Sequence, residues 1–553
     1  MVTSAVLPTL LTPLAAAVLV WLPGWALRGT RNAGQRSRRV ERAQTLITLT
    51  ASALTLAVSV QLAADVHAQT VTSHDVRAAI SGGLLGLDLF IDALSSYVIL
   101  LVNIVALAAA WFLSPWWSTH GRRGTSRDAS RRALFHSLFH LFHATMLLVP
   151  AVANLVALWI GIELTTVTST ALVALGRSRA SLEAAWKYIV ITSTGIVFAL
   201  LATVFLAASQ NTGTPTLDWP SLVGAHDARR LLVVLAFLFA MVGYGTKAGL
   251  APMHTWLPDA HGEAPYPVSA LLSGVLLKSA LYAILRFKMI TDHALQDGGR
   301  LTNRILLTAG LLSIAWAVPS IVRRNRIKRV LAYHSLEHMG IITLGLGVGG
   351  TFATFGALLH MLNHGVTKCL MFLAYGTVQD HYVGNGSDPP ATGSDPPQAD
   401  AGRAEPDLVE IAPRGVLAAL PWTGRMLALG GLALIGAPPF SIFLSELLIL
   451  WGAMDHVLNR AGTDRAGWIT VIAVLASSMV LIFAGLVRHL VPVLLGTPPD
   501  DVRRERARVV LPLAALLVLA LGLGLIVIDA DWLPLRSLVL DGTQVICGGA
   551  PCR

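Results

Sequence analysis

Residues 241–287 read MVGYGTKAGLAPMHTWLPDAHGEAPYPVSALLSGVLLKSALYAILRF, apolar runs of membrane-spanning length that contain groups a bilayer penalises. Lys247 and Lys278 fall inside apparent helices, and Pro252 closely follows the first lysine. A charged side chain at bilayer depth costs roughly 2.5–3.5 kcal/mol on insertion scales, so it faces a bundle interior or water. A proline inside a span removes a backbone donor and breaks or bends the helix. Such a break is tolerated only where the freed polar groups meet protein or water. A broken helix beside a buried amine points to an ion path.

The rest of the chain has the same character. Of its 553 residues, 54% are hydrophobic and 13% charged, with a mean hydropathy of +0.65. Soluble proteins carry about 25% charged residues. The net charge of +10 does not mark a nucleic-acid binder, because the basic residues cluster in short connections between apolar runs. Cys547 and Cys552 could pair in a polar tail if it faces an oxidising side. Cys369 reads as a small core residue. No basic segment precedes the first apolar run, so a cleaved signal peptide is not expected.

At roughly 20 apolar residues per span, about fourteen spans are expected, near 5–24, 44–64, 84–113, 133–150, 152–175, 186–208, 231–256, 266–288, 304–322, 329–349, 352–377, 425–452, 468–490 and 509–529. The expected fold is all-α, a polytopic membrane protein forming a single domain over 1–553. Arginines crowd the first, third, ninth and thirteenth connections, for example Arg36, Arg38 and Arg42, then Arg131 and Arg132, then Arg323, Arg326 and Arg329, then Arg508. All four connections are odd-numbered, which places them in the cytoplasm and both termini outside. The Pro-, Gly- and Ser-rich stretch at 379–413 reads as a flexible cytoplasmic loop. A second proline-interrupted span, IGAPPFSIFLSELLIL, sets Pro438 and Pro439 shortly before Glu446. Breaks near 247–256 and 436–446 in corresponding halves are the sequence sign of two inverted repeats with an ion site at the breaks.

A line of ionisable residues runs through these spans. Glu163 lies among threonines in ALWIGIELTTVTSTALVAL. Burial penalises a lone carboxylate and a lone amine alike, whereas each relieves the other when close, so the two titrate as a coupled pair. Such groups can also be simple structural ion pairs or snorkelling side chains, an alternative that weighs most for Lys187. His334 and His338 are four apart, as are His360, His364 and Lys368, which sets each group on one helix face. Histidines in that arrangement can relay protons or glue helices together. The zinc-protease pattern fails, since Ser335 follows the first histidine where glutamate is required. Asp88 and Asp92 read as solvated residues near a span end, and His136, His140 and His143 as a weaker set. With no glycine-rich phosphate loop, CxxC cluster or haem or flavin motif, neither a cofactor nor a metal is expected in this chain.

The motifs TKAGLAPMHTWLPDAH, APYPVSALLSGVLLKSALYAILRF, KRVLAYHSLEHMG and LLHMLNHGVTKCLMFL together resemble the antiporter-like membrane subunits of respiratory complex I, Mrp antiporters and energy-converting hydrogenases. The resemblance covers about 85–490. WIGIELTT, EAAWKYIV, AYHSLEHMG and GAPPFSIFLSELLIL look most like hydrogenase-4 component F. By that resemblance Glu163 pairs with Lys247, and Lys278, His338, His364, Lys368 and Glu446 continue a central proton-translocating axis. Lys187 belongs with them, and His334, His360 and Asp259 are weaker candidates. The resemblance also implies NiFe, iron–sulfur or quinone chemistry in partner subunits, membrane and peripheral, and a bacterial cytoplasmic membrane location. An Mrp-type Na⁺/H⁺ antiporter subunit and a non-conducting scaffold remain as alternatives.

Overall fold

The computed structural model describes residues 3–547 apart from 27–32, 74, 76–78, 85, 121–125, 177, 212–214, 224–227, 324–325, 384–412, 460–461, 499–504, 506 and 527–533. The expected loop at 379–413 therefore falls almost wholly outside the described residues, as does Cys552. Cys369 is a buried free thiol.

The chain is mostly helical, and among the described residues eleven helices are long and apolar enough to cross a membrane. Helices Ile327–Val348 and Gly350–Val383 have the length. The histidines, Glu337 and Lys368 they bury keep them out of the apolar class. Helix Ala507–Gly522 is apolar but has only 16 residues. Part of the expected third span is not helical. LDLFI alternates more and less buried positions, with Leu89 and Ile91 facing inward, and forms β2 (Leu87–Ile91), paired antiparallel with β1 (Ile80–Leu84). Gly86 turns the hairpin at φ +80°. Asp92 then opens helix Ala93–His120 by accepting the Ser95 N–H at 2.8 Å.

Both expected breaks are present. Helix Arg230–Lys247 stops at its lysine, Gly249 takes φ +72°, and a short helix resumes at Leu257. The freed backbone groups find partners inside the protein, as a membrane demands. Trp256 Nε1 donates to the Thr246 carbonyl at 2.8 Å, and the Ala251 N–H donates to Ser313 Oγ at 3.0 Å. The second break divides the expected span 425–452 into Pro421–Leu434 and Ser441–Asn459, with Gly436 at φ +68° between them.

The segment Tyr266–Leu295 is the buried centre of the bundle. A π-helical turn, Leu272–Leu276, interrupts it immediately before Lys278. Small residues let neighbouring helices close tightly: a Cβ on Gly310 would stand 2.6 Å from the Leu344 nitrogen. The outward faces carry exposed apolar residues such as Trp186, Leu231 and Leu458, as a lipid-facing surface requires.

Candidate functional site

The first cluster forms where Leu155–Ala174, Arg179–Ser209 and Arg230–Lys247 meet. Lys247 ends its helix at the break, fully buried, so its ammonium must be answered within the protein. Its Nζ donates to Thr166 Oγ1 at 2.8 Å and to Tyr188 OH at 2.6 Å. Tyr188 is fixed by Ser169 Oγ at 2.8 Å and by the Trp256 ring at 4.6 Å. Glu163 lies one turn before Thr166 on the same helix. Its Oε1 accepts from Ser193 Oγ at 2.7 Å, and its Oε2 is buried without a partner. Among the described residues Lys247 forms no ion pair. The expected Glu163–Lys247 pair is thus separated here, with neutral hydroxyls holding the amine and the carboxylate close by.

The second cluster is denser. Lys278 Nζ donates to the carbonyl of Ser273, a residue of the π turn, at 2.5 Å. Lys278 Nζ also lies 2.6 Å from His364 Nδ1. The His364 and His338 rings are 4.7 Å apart between centroids, and His338 Nδ1 meets His360 Nε2 at 2.8 Å. His360 Nδ1 then reaches Ser445 Oγ at 3.0 Å, and Glu446 follows on the same helix, buried beside Gly436 of the second break. The sequence spacing placed these residues on helix faces. The structure turns those faces toward one another.

A branch leaves His338. Glu337 Oε2 stands 3.1 Å from His334 Nδ1 and 3.8 Å from His338 Nε2. Lys368 Nζ donates to the Leu331 carbonyl at 2.6 Å. Two triplets, His334–Glu337–His338 and His338–His360–Glu446, gather ligand-type atoms within 4.8 Å. In the second triplet the spacing suits proton exchange better than a metal. Two ligands each 2.0–2.1 Å from zinc stand roughly 3.3 Å apart, whereas the two histidine nitrogens meet at a hydrogen-bond distance of 2.8 Å.

Between the clusters the described residues show no direct hydrogen bond. His261 stands there, buried, its ring 6.1 Å from Trp256 and neither nitrogen bonded.

Lys187 is elsewhere. It is exposed, pairing with Glu183 at 2.6 Å and Asp259 at 3.4 Å, and Asp259 also meets Arg329 at 3.1 Å. Asp92, expected to be solvated, is instead buried in a bidentate pair with Arg286 at 2.6 and 2.8 Å. The Arg286 guanidinium also lies 3.8 Å over the Trp219 ring. Asp88 is exposed on the hairpin. His136 and His143 are buried on Thr48 and Asn103, each at 2.8 Å. Sequence reasoning singled out neither Arg286 nor Tyr188, and it gave Glu337 no role on the axis. Arg286 carried a usable signal, being a second cation on the Lys278 helix two turns further on.

The family model described as NADH:quinone oxidoreductase/Mrp antiporter, TM, matches residues 152–463. The hydrogenase-4 component F homolog of Methylacidiphilum infernorum is 35% identical over 404 residues, 71% of this chain and 79% of that protein. NADH-quinone oxidoreductase subunit N of Desulforudis audaxviator is 29% identical over 465 residues, 80% of this chain and 82% of that protein. A chain of the Mrp complex from Dietzia sp. DQ12-45-1b shares the fold, with a TM-score of 0.75 over 98% of this chain and 97% of that one at 19% identity. With its family model matched over more than half its length, this chain belongs to the NADH:quinone oxidoreductase/Mrp antiporter family, as an antiporter-like membrane subunit.

Proposed function

We propose that this chain moves protons through the membrane for an oxidoreductase complex of the hydrogenase-4 or formate-hydrogenlyase type, with electron transfer carried by partner subunits. The observation that carries the reading is the buried run Lys278–His364–His338–His360, which ends beside Glu446 at the second break. Each member can hold a proton, and each stands within direct or near contact of the next. Glu163 and Lys247 serve as the coupling end. A charge arriving near Glu163 would draw the Lys247 ammonium from its hydroxyl partners or release it, changing the cost of a proton on Lys278.

The eleven apolar helices among the described residues, taken with Ile327–Val348, Gly350–Val383 and Ala507–Gly522, support a reading of fourteen crossings. In that arrangement two inverted repeats present their broken helices to the axis, and the termini lie outside the cytoplasmic membrane. NiFe, iron–sulfur or quinone centres belong to the membrane and peripheral partners.

The test uses sealed vesicles holding the intact complex. Adding the electron donor should drive proton movement that does not depend on sodium. A sodium-driven pH change without any donor would instead make the chain a Na⁺/H⁺ antiporter subunit.

A further inference from the structure

Two adjoining hollows on the outer surface share three helices, Ala33–Ser73, Ala93–His120 and Ala507–Gly522, and helix Pro534–Ile546 adds Leu535 and Leu538 to the first. The first, about 640 Å³, has an almost wholly apolar wall that includes Val60, Ala63, Ile104, Leu107 and Leu516. The second, about 740 Å³, is lined by Arg38, Arg42 and Arg508 together with Glu41 and Ser114. On each shared helix the register leads from one hollow to the other. Trp111 and Leu511 of the groove lie three residues, about 4.5 Å of helix rise, from Ser114 and Arg508. At the junction Trp111 Nε1 donates to the Arg508 carbonyl at 2.7 Å.

The charges in the second hollow are unbalanced. Glu41 is engaged by Arg132 at 3.0 Å. Arg38, Arg42 and Arg508 are exposed and pair with no carboxylate among the described residues. The groove wall from Leu100 to Trp111 rises about 16 Å, roughly half of a 30 Å hydrocarbon core. That is the depth of one leaflet.

We propose that the two hollows form one binding site for an anionic phospholipid, with its acyl chain in the groove and its phosphate beneath the three arginines. Charge complementarity selects this occupant. Basic pockets between spans take anionic headgroups, whereas a zwitterionic headgroup brings no net charge to the three guanidinium groups and an apolar partner helix brings no anion.

The full chain, purified in mild detergent and delipidated, is titrated with phosphatidylglycerol and with phosphatidylcholine of the same acyl chains. Native mass spectrometry reads the bound lipid. One phosphatidylglycerol per chain should bind in preference to phosphatidylcholine. The triple variant Arg38→Gln, Arg42→Gln, Arg508→Gln should weaken it about a hundredfold, at about fivefold per arginine. If the triple variant does not fold, the single substitutions carry the same test. The variant Ala108→Trp, which fills the groove and leaves the arginines, should weaken binding independently. Equal binding of the two lipids would overturn the site and leave an ordinary lipid-facing surface or a seat for a partner helix. An undiminished preference in the arginine variants would overturn it too. Unchanged binding in Ala108→Trp would reduce it to a headgroup contact and overturn the groove assignment.

Discussion

The surroundings of Lys247 and of Lys278 solve the same problem in different ways. Each amine is buried at an irregularity of its helix, one at a break and the other after a π turn. Lys247 is answered by two hydroxyls, and its carboxylate neighbour stands off. Lys278 is answered by a carbonyl and a histidine, and that histidine opens a chain of titratable rings. Hydroxyl oxygens at neutral pH hold a cation without taking its proton, while imidazoles exchange protons readily. The first arrangement suits a switch that senses charge. The second suits conduction.

Substitutions can break this contrast at several points. Among substitutions that keep both lysines, the largest effect is expected in the conducting half. His360→Phe removes the ring between His338 and Ser445, and loss of a positioned proton carrier costs roughly a hundredfold or more in rate. Donor-driven acidification of vesicles would check it, and a near-normal rate would mean that the ring only fills space.

Asp92→Asn leaves Arg286 buried beside a neutral group. Breaking a buried pair from one side costs about 3–5 kcal/mol, so the full chain should melt markedly lower in detergent. Its ion translocation per folded molecule should be unchanged, because this pair stands apart from both lysine clusters.

Thr166→Val removes one of the two hydroxyl partners of Lys247. A buried donor left short of a partner costs about 1–3 kcal/mol. The signature that separates a switch from a brace is a shift in the pH profile of translocation in this variant, with Thr166→Ser restoring the wild-type profile. The smallest effect is expected at Lys187. Its ion pairs are exposed, and such pairs add little, so Lys187→Ala should move the melting temperature by about 2 °C or less and leave translocation intact.

The sequence made the ends of the axis readable for a physical reason. A lysine or glutamate inside an apolar run is costly wherever it points, so Lys247, Lys278 and Glu446 stand out. The four-residue spacing of His360, His364 and Lys368 fixes a shared face without help from the fold. Other parts depend on contacts across long separations. Asp92 and Arg286 are 194 positions apart, and neither neighbourhood hints at the other. Tyr188 and Thr166 look like ordinary span residues until the lysine meets them. The hairpin was hidden because LDLFI continues directly into an apolar helix. For Lys187 the Glu183 partner four residues earlier was already visible as a surface pair.

In this mechanism the buried amines and acids carry protons instead of merely bracing the bundle. The most direct test is the number of protons moved per electron pair in proteoliposomes containing the intact complex, wild type against Lys247→Ala, with assembly and electron transfer checked in the same preparation. The ratio should fall by this subunit's whole contribution while electron transfer persists. An unchanged ratio in a fully assembled Lys247→Ala complex would contradict it.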